Sequence, residues 1–217
     1  MTRANKILIS ILALFLLVML IGTVWAFLSF RIVNVPTGSM ANTIIPGDRV
    51  LCKLGAGNIE RGEIVLFRLP DDPKYIYLKR VIGLPGETIQ LRGMKVWING
   101  QELAEARIII DLRNDDRSFK GLHPEVSSDG AGKYRVYYAK RGSDFDEDTP
   151  GIRFGGRVAY RVPERSYFLL GDCRDNALDS RYYGTVPREN IIGKALMILD
   201  SPAPGGEKRA YTSLQVK

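Results

Sequence analysis

Apolar and polar positions divide this chain sharply at residue 30. From Ile7 to Phe30 run 24 residues without a charge. As a helix rising 1.5 Å per residue, the run would reach roughly 36 Å, enough to cross a hydrocarbon core of about 30 Å. A secretory signal has a shorter apolar core, about 7–15 residues, followed by a small-residue cleavage site. Val24-Trp25-Ala26 matches such a site poorly and the run is too long, so an uncleaved transmembrane anchor is predicted over 7–30. Arg3, Lys6 and the terminal amine precede it, whereas only Arg31 follows closely before Arg49. The positive-inside rule therefore puts residues 1–6 in the cytoplasm and the rest on the outer side of the cytoplasmic membrane, as a single-pass protein.

Beyond Phe30 the 3.6-residue periodicity disappears. Short apolar runs separated by Gly, Pro and Asp recur at Arg49–Leu54, Glu63–Leu69, Tyr75–Ile82, Thr88–Leu91 and Lys95–Ile98. Later runs are Tyr134–Ala139, Val158–Val162, Tyr167–Leu170 and Ala195–Leu199. Asn99-Gly100, directly after Val96-Trp97-Ile98, is a hairpin-turn signal. The pattern predicts a mostly β protein, with an antiparallel sheet or barrel-like core over 31–104 and 157–200. Residues 105–156 are rich in charge, Ser and Gly; they read as an inserted β subdomain or extended hairpin, most simply a solvated flap. The tail 201–217, with Pro202, Pro204 and Gly205-Gly206, reads as irregular surface chain.

Charge changes this picture little. The 217 residues carry 31 Lys and Arg against 24 Asp and Glu, a net charge of +7. The basic residues are interleaved with acids and no helix-turn-helix, RNP or zinc-knuckle pattern appears, so nucleic acid is not expected as a partner. The excess reads as solvation plus attraction to an anionic lipid surface. Two cysteines, Cys52 and Cys173, are too few for a disulfide framework, and spacing does not say whether they pair.

Candidate chemistry is narrowed by the histidine count. The single histidine, His123, lies in a polar Gly/Ser-containing stretch and reads as an exposed loop residue. A serine nucleophile would then need another base, and lysine is the common alternative. Ser39 lies in Val35-Pro36-Thr37-Gly38-Ser39-Met40, nine residues after Phe30. At about 3.3 Å per residue it is held within roughly 30 Å of the end of the apolar run. Lys79 sits in a strand whose alternation puts Tyr75, Tyr77, Lys79 and Val81 on one face and Ile76, Leu78, Arg80 and Ile82 on the other. To act as a base near neutrality, Lys79 must lose roughly 2–3 pKa units, which burial can supply. Each residue also has a plain reading, a turn hydroxyl and a strand-end lysine. A third stretch, Gly171–Gly184, alternates acids and arginines and reads as a salt-bridged loop of Asp172, Arg174, Asp175, Asp179 and Arg181.

The anchor, Val35–Val50, Arg61–Pro70, Tyr77–Glu87 and Gly171–Gly193 together resemble the type I signal peptidases, membrane-bound Ser/Lys serine proteases. The resemblance implies Ser39 as nucleophile and Lys79 as general base. It implies an oxyanion hole from the Thr37 hydroxyl and the Ser39 N–H, and shallow pockets lined by Val35, Met40, Ile44, Tyr77 and Leu78. It implies structural pairs Arg80–Asp172 and Asp179–Arg181, with no metal or cofactor. The substrates implied are signal-peptide-bearing precursors, cleaved after small residues at −1 and −3 beside the lipid bilayer; oligomeric state is left open. Two positions depart from the family. Ala177 stands where many members have a serine whose hydroxyl bonds the lysine ammonium, and Cys173 replaces a common asparagine, either as inert packing or as a partner for Cys52. The alternatives are a specialised relative processing one pilin or conjugation substrate, and an inactive membrane-anchored peptide-binding β domain.

Overall fold

A computed structural model describes residues 2–55, 57–110, 125–139, 151–201 and 212–214. Helix α1 (Arg3–Ser29) takes up the apolar run except its last residue, Phe30, with Thr2 as N-cap accepting from Asn5 N–H at 3.3 Å. No residue of α1 is buried, and its 27 residues are long and apolar enough to cross a membrane. The helix enters strand β1 (Phe30–Asn34) without a linker: Phe30 caps it, and its ring meets Trp25 edge-on at 6.1 Å.

The main sheet contains β1, β2 (Arg49–Leu54), β3 (Ile64–Leu69), β4 (Asp72–Gly83), β12 (Ser166–Leu170), β13 (Val186–Pro187), β14 (Ile191–Asp200) and β15 (Thr212–Ser213). Its order is β1-β2-β14-β3-β4-β12-β13, with β15 on β14, and all these pairings are antiparallel. Strand β3 explains why the sheet forms a core on both faces. Ile64 and Leu66 join a cluster with Val35, Met40, Ile44, Val50 and Cys52, while Val65 and Phe67 join Val81, Leu169 and Val186 on the other side. A strand buried on both faces reads as a continuous apolar run, as Ile64-Val65-Leu66-Phe67 does.

Two smaller sheets stand beside it. One is β5 (Thr88–Arg92), β6 (Lys95–Ile98) and β7 (Gln101–Glu102), closed by β11 (Tyr160–Arg161) on β5. Asn99 and Gly100, at φ 51° and 80°, form the tight turn between β6 and β7 that their sequence foretells. The other contains β8 (Ala106–Ile110), β9 (Glu125–Asp129) and β10 (Arg135–Ala139), in the order β10-β8-β9. Here β8 and β10 run parallel, an exception to the expected antiparallel pattern.

Two expectations change, and one question the sequence leaves open is answered. The described part of 105–156 is no solvated flap: Ile108, Ile110, Val136, Tyr137 and Tyr138 are buried, because β10 docks on the Asp172–Cys173 backbone. The tail is not all surface chain: Leu214 is buried in the main-sheet cluster and its N–H bonds Leu196 O at 2.8 Å. Cys52 and Cys173 are separate free thiols, each buried in a different cluster. Burial pushes the Cys52 thiol up to about 12 and raises that of Cys173 as well. His123 lies outside the described residues.

Candidate active site

Ser39 is presented by a loop tied at both ends. Val35 N–H bonds Asp48 O at 3.0 Å, Gly47 N–H bonds Val35 O at 2.7 Å, and Ile45 N–H bonds Asp48 Oδ2 at 2.9 Å. Met40, Ala41, Ile44 and Ile45 point into the core and fix the loop, leaving Pro36 and Thr37 exposed and Ser39 half-buried. Behind Ser39 the loop meets the segment after β12. Cys173 N–H bonds Ser39 O at 3.2 Å. A Cβ at Gly171 would sit 2.5 Å from Ser39 O and 2.3 Å from the Ala177 methyl, so only glycine allows this approach.

Strand β4 brings Lys79 to the same place. Lys79 Nζ donates to Ser39 Oγ at 2.6 Å, and Lys79 is only 3% exposed. Burial, the dominant cause, pushes the Lys79 ammonium down to about 8; Asp179 and Asp172 oppose this, while Arg181 reinforces it. Both carboxylates are already engaged, which limits their pull on the lysine. Asp172 accepts from Arg80 Nε at 2.8 Å in a two-pronged pair, and Asp179 accepts from Arg181 Nε at 2.7 Å and Nη2 at 2.9 Å. Asp179 also takes Gly171 N–H at 2.9 Å, and Arg181 Nη2 reaches Arg174 O at 2.7 Å. Hence both arginine–carboxylate pairs hold the loop around Gly171 rather than the lysine.

Ser39 and Lys79 sit at an apolar cavity of about 770 Å³ bordered by Val35, Thr37, Met40, Tyr77, Leu78 and Ala177. Ile44 is placed differently from the sequence expectation. It lies wholly buried behind Met40 in the main-sheet core and does not line the cavity, because the Ile44 N–H to Met40 O turn directs it inward. Tyr77 borders the cavity while its hydroxyl donates to Asp72 Oδ2 at 2.8 Å. Ala177 lies against the cavity with only a methyl to offer, so among the described residues Ser39 is the hydrogen-bond partner of Lys79 Nζ.

Sequence reasoning missed Glu105, Tyr134 and the cavity-lining Leu178 and Tyr182. Glu105 is buried against Arg174, 69 residues away, and a lone acid between Ala104 and Ala106 gives no signal of that partner. Leu178 stands in the charged loop the sequence singled out; a 63% exposed leucine becomes informative only once the cavity beside it is seen.

A serine hydroxyl on a desolvated amine, at the edge of an apolar cavity, marks the class of serine hydrolases in which an amine stands where an imidazole would. The sequence profile described as signal peptidase, peptidase S26, matches residues 7–199. A signal peptidase I of Rickettsia typhi is 32% identical over 91% of this chain and 82% of its own length. One from Pseudomonas fluorescens is 30% identical over 76% of this chain, which spans 63% of that relative. A crystal structure of a signal peptidase I from Enterococcus faecalis aligns at 27% identity and TM-score 0.41, covering 64% of this chain and 98% of that one. The chain belongs to the signal peptidase family, peptidase S26, a family of serine peptidases.

Proposed function

We propose that this protein is a membrane-anchored endopeptidase that removes signal peptides from exported precursors, with Ser39 as nucleophile and Lys79 as general base. In the neutral state of Lys79, the hydrogen bond to Ser39 reverses, and the hydroxyl donates to the amine lone pair. As Oγ attacks the scissile carbonyl, Nζ takes its proton. The ammonium then returns the proton to the departing amine, leaving an acyl-enzyme. Neutral again, Lys79 activates water for deacylation.

The Ser39 N–H and the Thr37 hydroxyl are the proposed donors to the oxyanion, both on the same fixed loop. Val35, Met40, Tyr77 and Leu78 make the shallow apolar walls that accept small residues at −1 and −3. With α1 spanning the bilayer, the β domain lies on the outer side of the cytoplasmic membrane. The direct passage from α1 into β1 holds the site near the lipid surface, where a membrane-tethered precursor is confined at high effective concentration.

The observation that carries this reading is the 2.6 Å contact between Ser39 Oγ and a buried lysine that, among the described residues, has no carboxylate of its own. Precursor processing in detergent or liposomes tests it. Ser39→Ala and Lys79→Ala are each expected to lose activity by about 10³-fold or more, and undiminished cleavage by either contradicts the mechanism.

A further inference from the structure

The three-stranded sheet β10-β8-β9 is linked to the Ser39–Lys79 pair through one buried carboxylate. Glu105, at the entry to β8, is 1% exposed and carries three hydrogen bonds. Its Oε2 accepts from Arg174 Nη1 at 3.1 Å, and its Oε1 accepts from Arg174 Nη2 and from Tyr134 OH at 3.1 Å. Arg174, also buried, donates Nε to Gly171 O at 3.1 Å and its other Nη1 hydrogen to Tyr138 OH at 3.3 Å. Tyr134, with its hydroxyl on Glu105, lays its ring under the Arg80 guanidinium at 4.4 Å, and Arg80 follows Lys79 in β4.

The route ends at the serine. Gly171, whose carbonyl Arg174 holds, abuts Ser39 O so closely that no side chain fits between, and Cys173 N–H bonds that same oxygen. Tyr137 N–H of β10 bonds Asp172 O at 2.8 Å, so the three-stranded sheet grips this short segment by its backbone too. A buried ion pair of this kind adds little net stability, since apolar residues of similar volume often do as well. What it does provide is one fixed geometry. We propose that Glu105 is a positioning residue for the peptidase reaction, acting through Arg174 to hold the Gly171–Cys173 segment against the carbonyl of Ser39.

This rests on Ser39 being the nucleophile. Its backbone N–H lies on the same loop, so a shift of the loop misaligns attack and oxyanion stabilisation together, while the substrate walls Tyr77 and Leu78 on β4 stay in place. Displacements of about 1 Å can cost on the order of 10²-fold in rate.

The experiment compares full-length Glu105→Gln, Glu105→Asp and Tyr134→Phe with the parent and with Ser39→Ala in detergent. It measures kcat and KM on a short signal-peptide substrate, and the acylation rate with a small serine-reactive probe. Glu105→Gln, which keeps shape but loses charge, is expected to lower kcat and the acylation rate together by about tenfold or more, with KM within about twofold. Tyr134→Phe is expected to lower both about twofold to threefold, and it carries the test if Glu105→Gln does not fold. Glu105→Asp should recover part of the loss. A folded Glu105→Gln with unchanged kcat and acylation rate overturns the proposal. So does a loss confined to KM, or an unchanged Tyr134→Phe where the glutamine variant fails to fold. An active Ser39→Ala would instead overturn the reading of the site itself.

Discussion

Lys79 and Arg80 are neighbours in one strand, each 3% exposed, yet the protein treats their charges in opposite ways. Burial pushes the Arg80 guanidinium down, but the Asp172 carboxylate outweighs it and raises the group above its usual value. Lys79 suffers the same burial without a carboxylate in contact among the described residues, and moves down to about 8. Desolvation is common to both; the hydrogen-bonded partner decides the outcome. Arginine suits the paired position because its fork matches a carboxylate with two parallel bonds, here Nε and Nη2 to the two oxygens of Asp172. Lysine suits the unpaired one because it can give up its proton.

The comparison breaks most visibly if the two cation types are exchanged. Lys79→Arg puts a permanent charge beside Ser39, and processing is expected to fall by about 10³-fold or more; substantial activity would show that no neutral base is needed. The next effect concerns the paired neighbour. Asp172→Asn strands the buried Arg80 charge and should cost about 3–5 kcal/mol of stability in denaturant unfolding, whereas a loss within about 0.5 kcal/mol would mean the pair does not hold the loop.

A smaller effect, of opposite sign, is expected at Lys79. Its folded value is depressed below the unfolded one, so the folded state binds fewer protons between about pH 8 and 10.5. Stability therefore rises with pH through that window, and the full penalty for burying the ammonium is present below it. Lys79→Met should remove this dependence and stabilise the protein near pH 7 by roughly 3 kcal/mol, the equivalent of the depression. Equal unfolding midpoints for the two proteins from pH 6 to 10 would argue against a desolvated lysine.

How much of this is legible in the sequence depends on the range of the interaction. Anchor, strands and the Asn99-Gly100 turn are local patterns, and β2, β3 and β6 fall within a residue of the apolar runs that announce them. Ser39 and Lys79 stand out as residue types in a particular order, with the single histidine removing the usual base. The Glu105–Arg174 pair and the parallel pairing of β8 with β10 join residues far apart in the chain, and neither end carries a mark of the other. Ile44 illustrates a further limit: an apolar residue beside a candidate serine can face the cavity or the core, and only the Met40–Ile44 turn decides. Val158, expected within a strand, is 79% exposed because β11 pairs only at Tyr160 and Arg161.

The most direct measurement is the titration of Lys79 itself, by NMR of isotopically labelled lysine in the intact, substrate-free protein, with Lys79→Met supplying the assignment. A midpoint near 8 is expected, together with a rise of kcat/KM through the same pH. A midpoint at the ordinary lysine value of about 10.4, with activity already complete at neutral pH, would contradict the account.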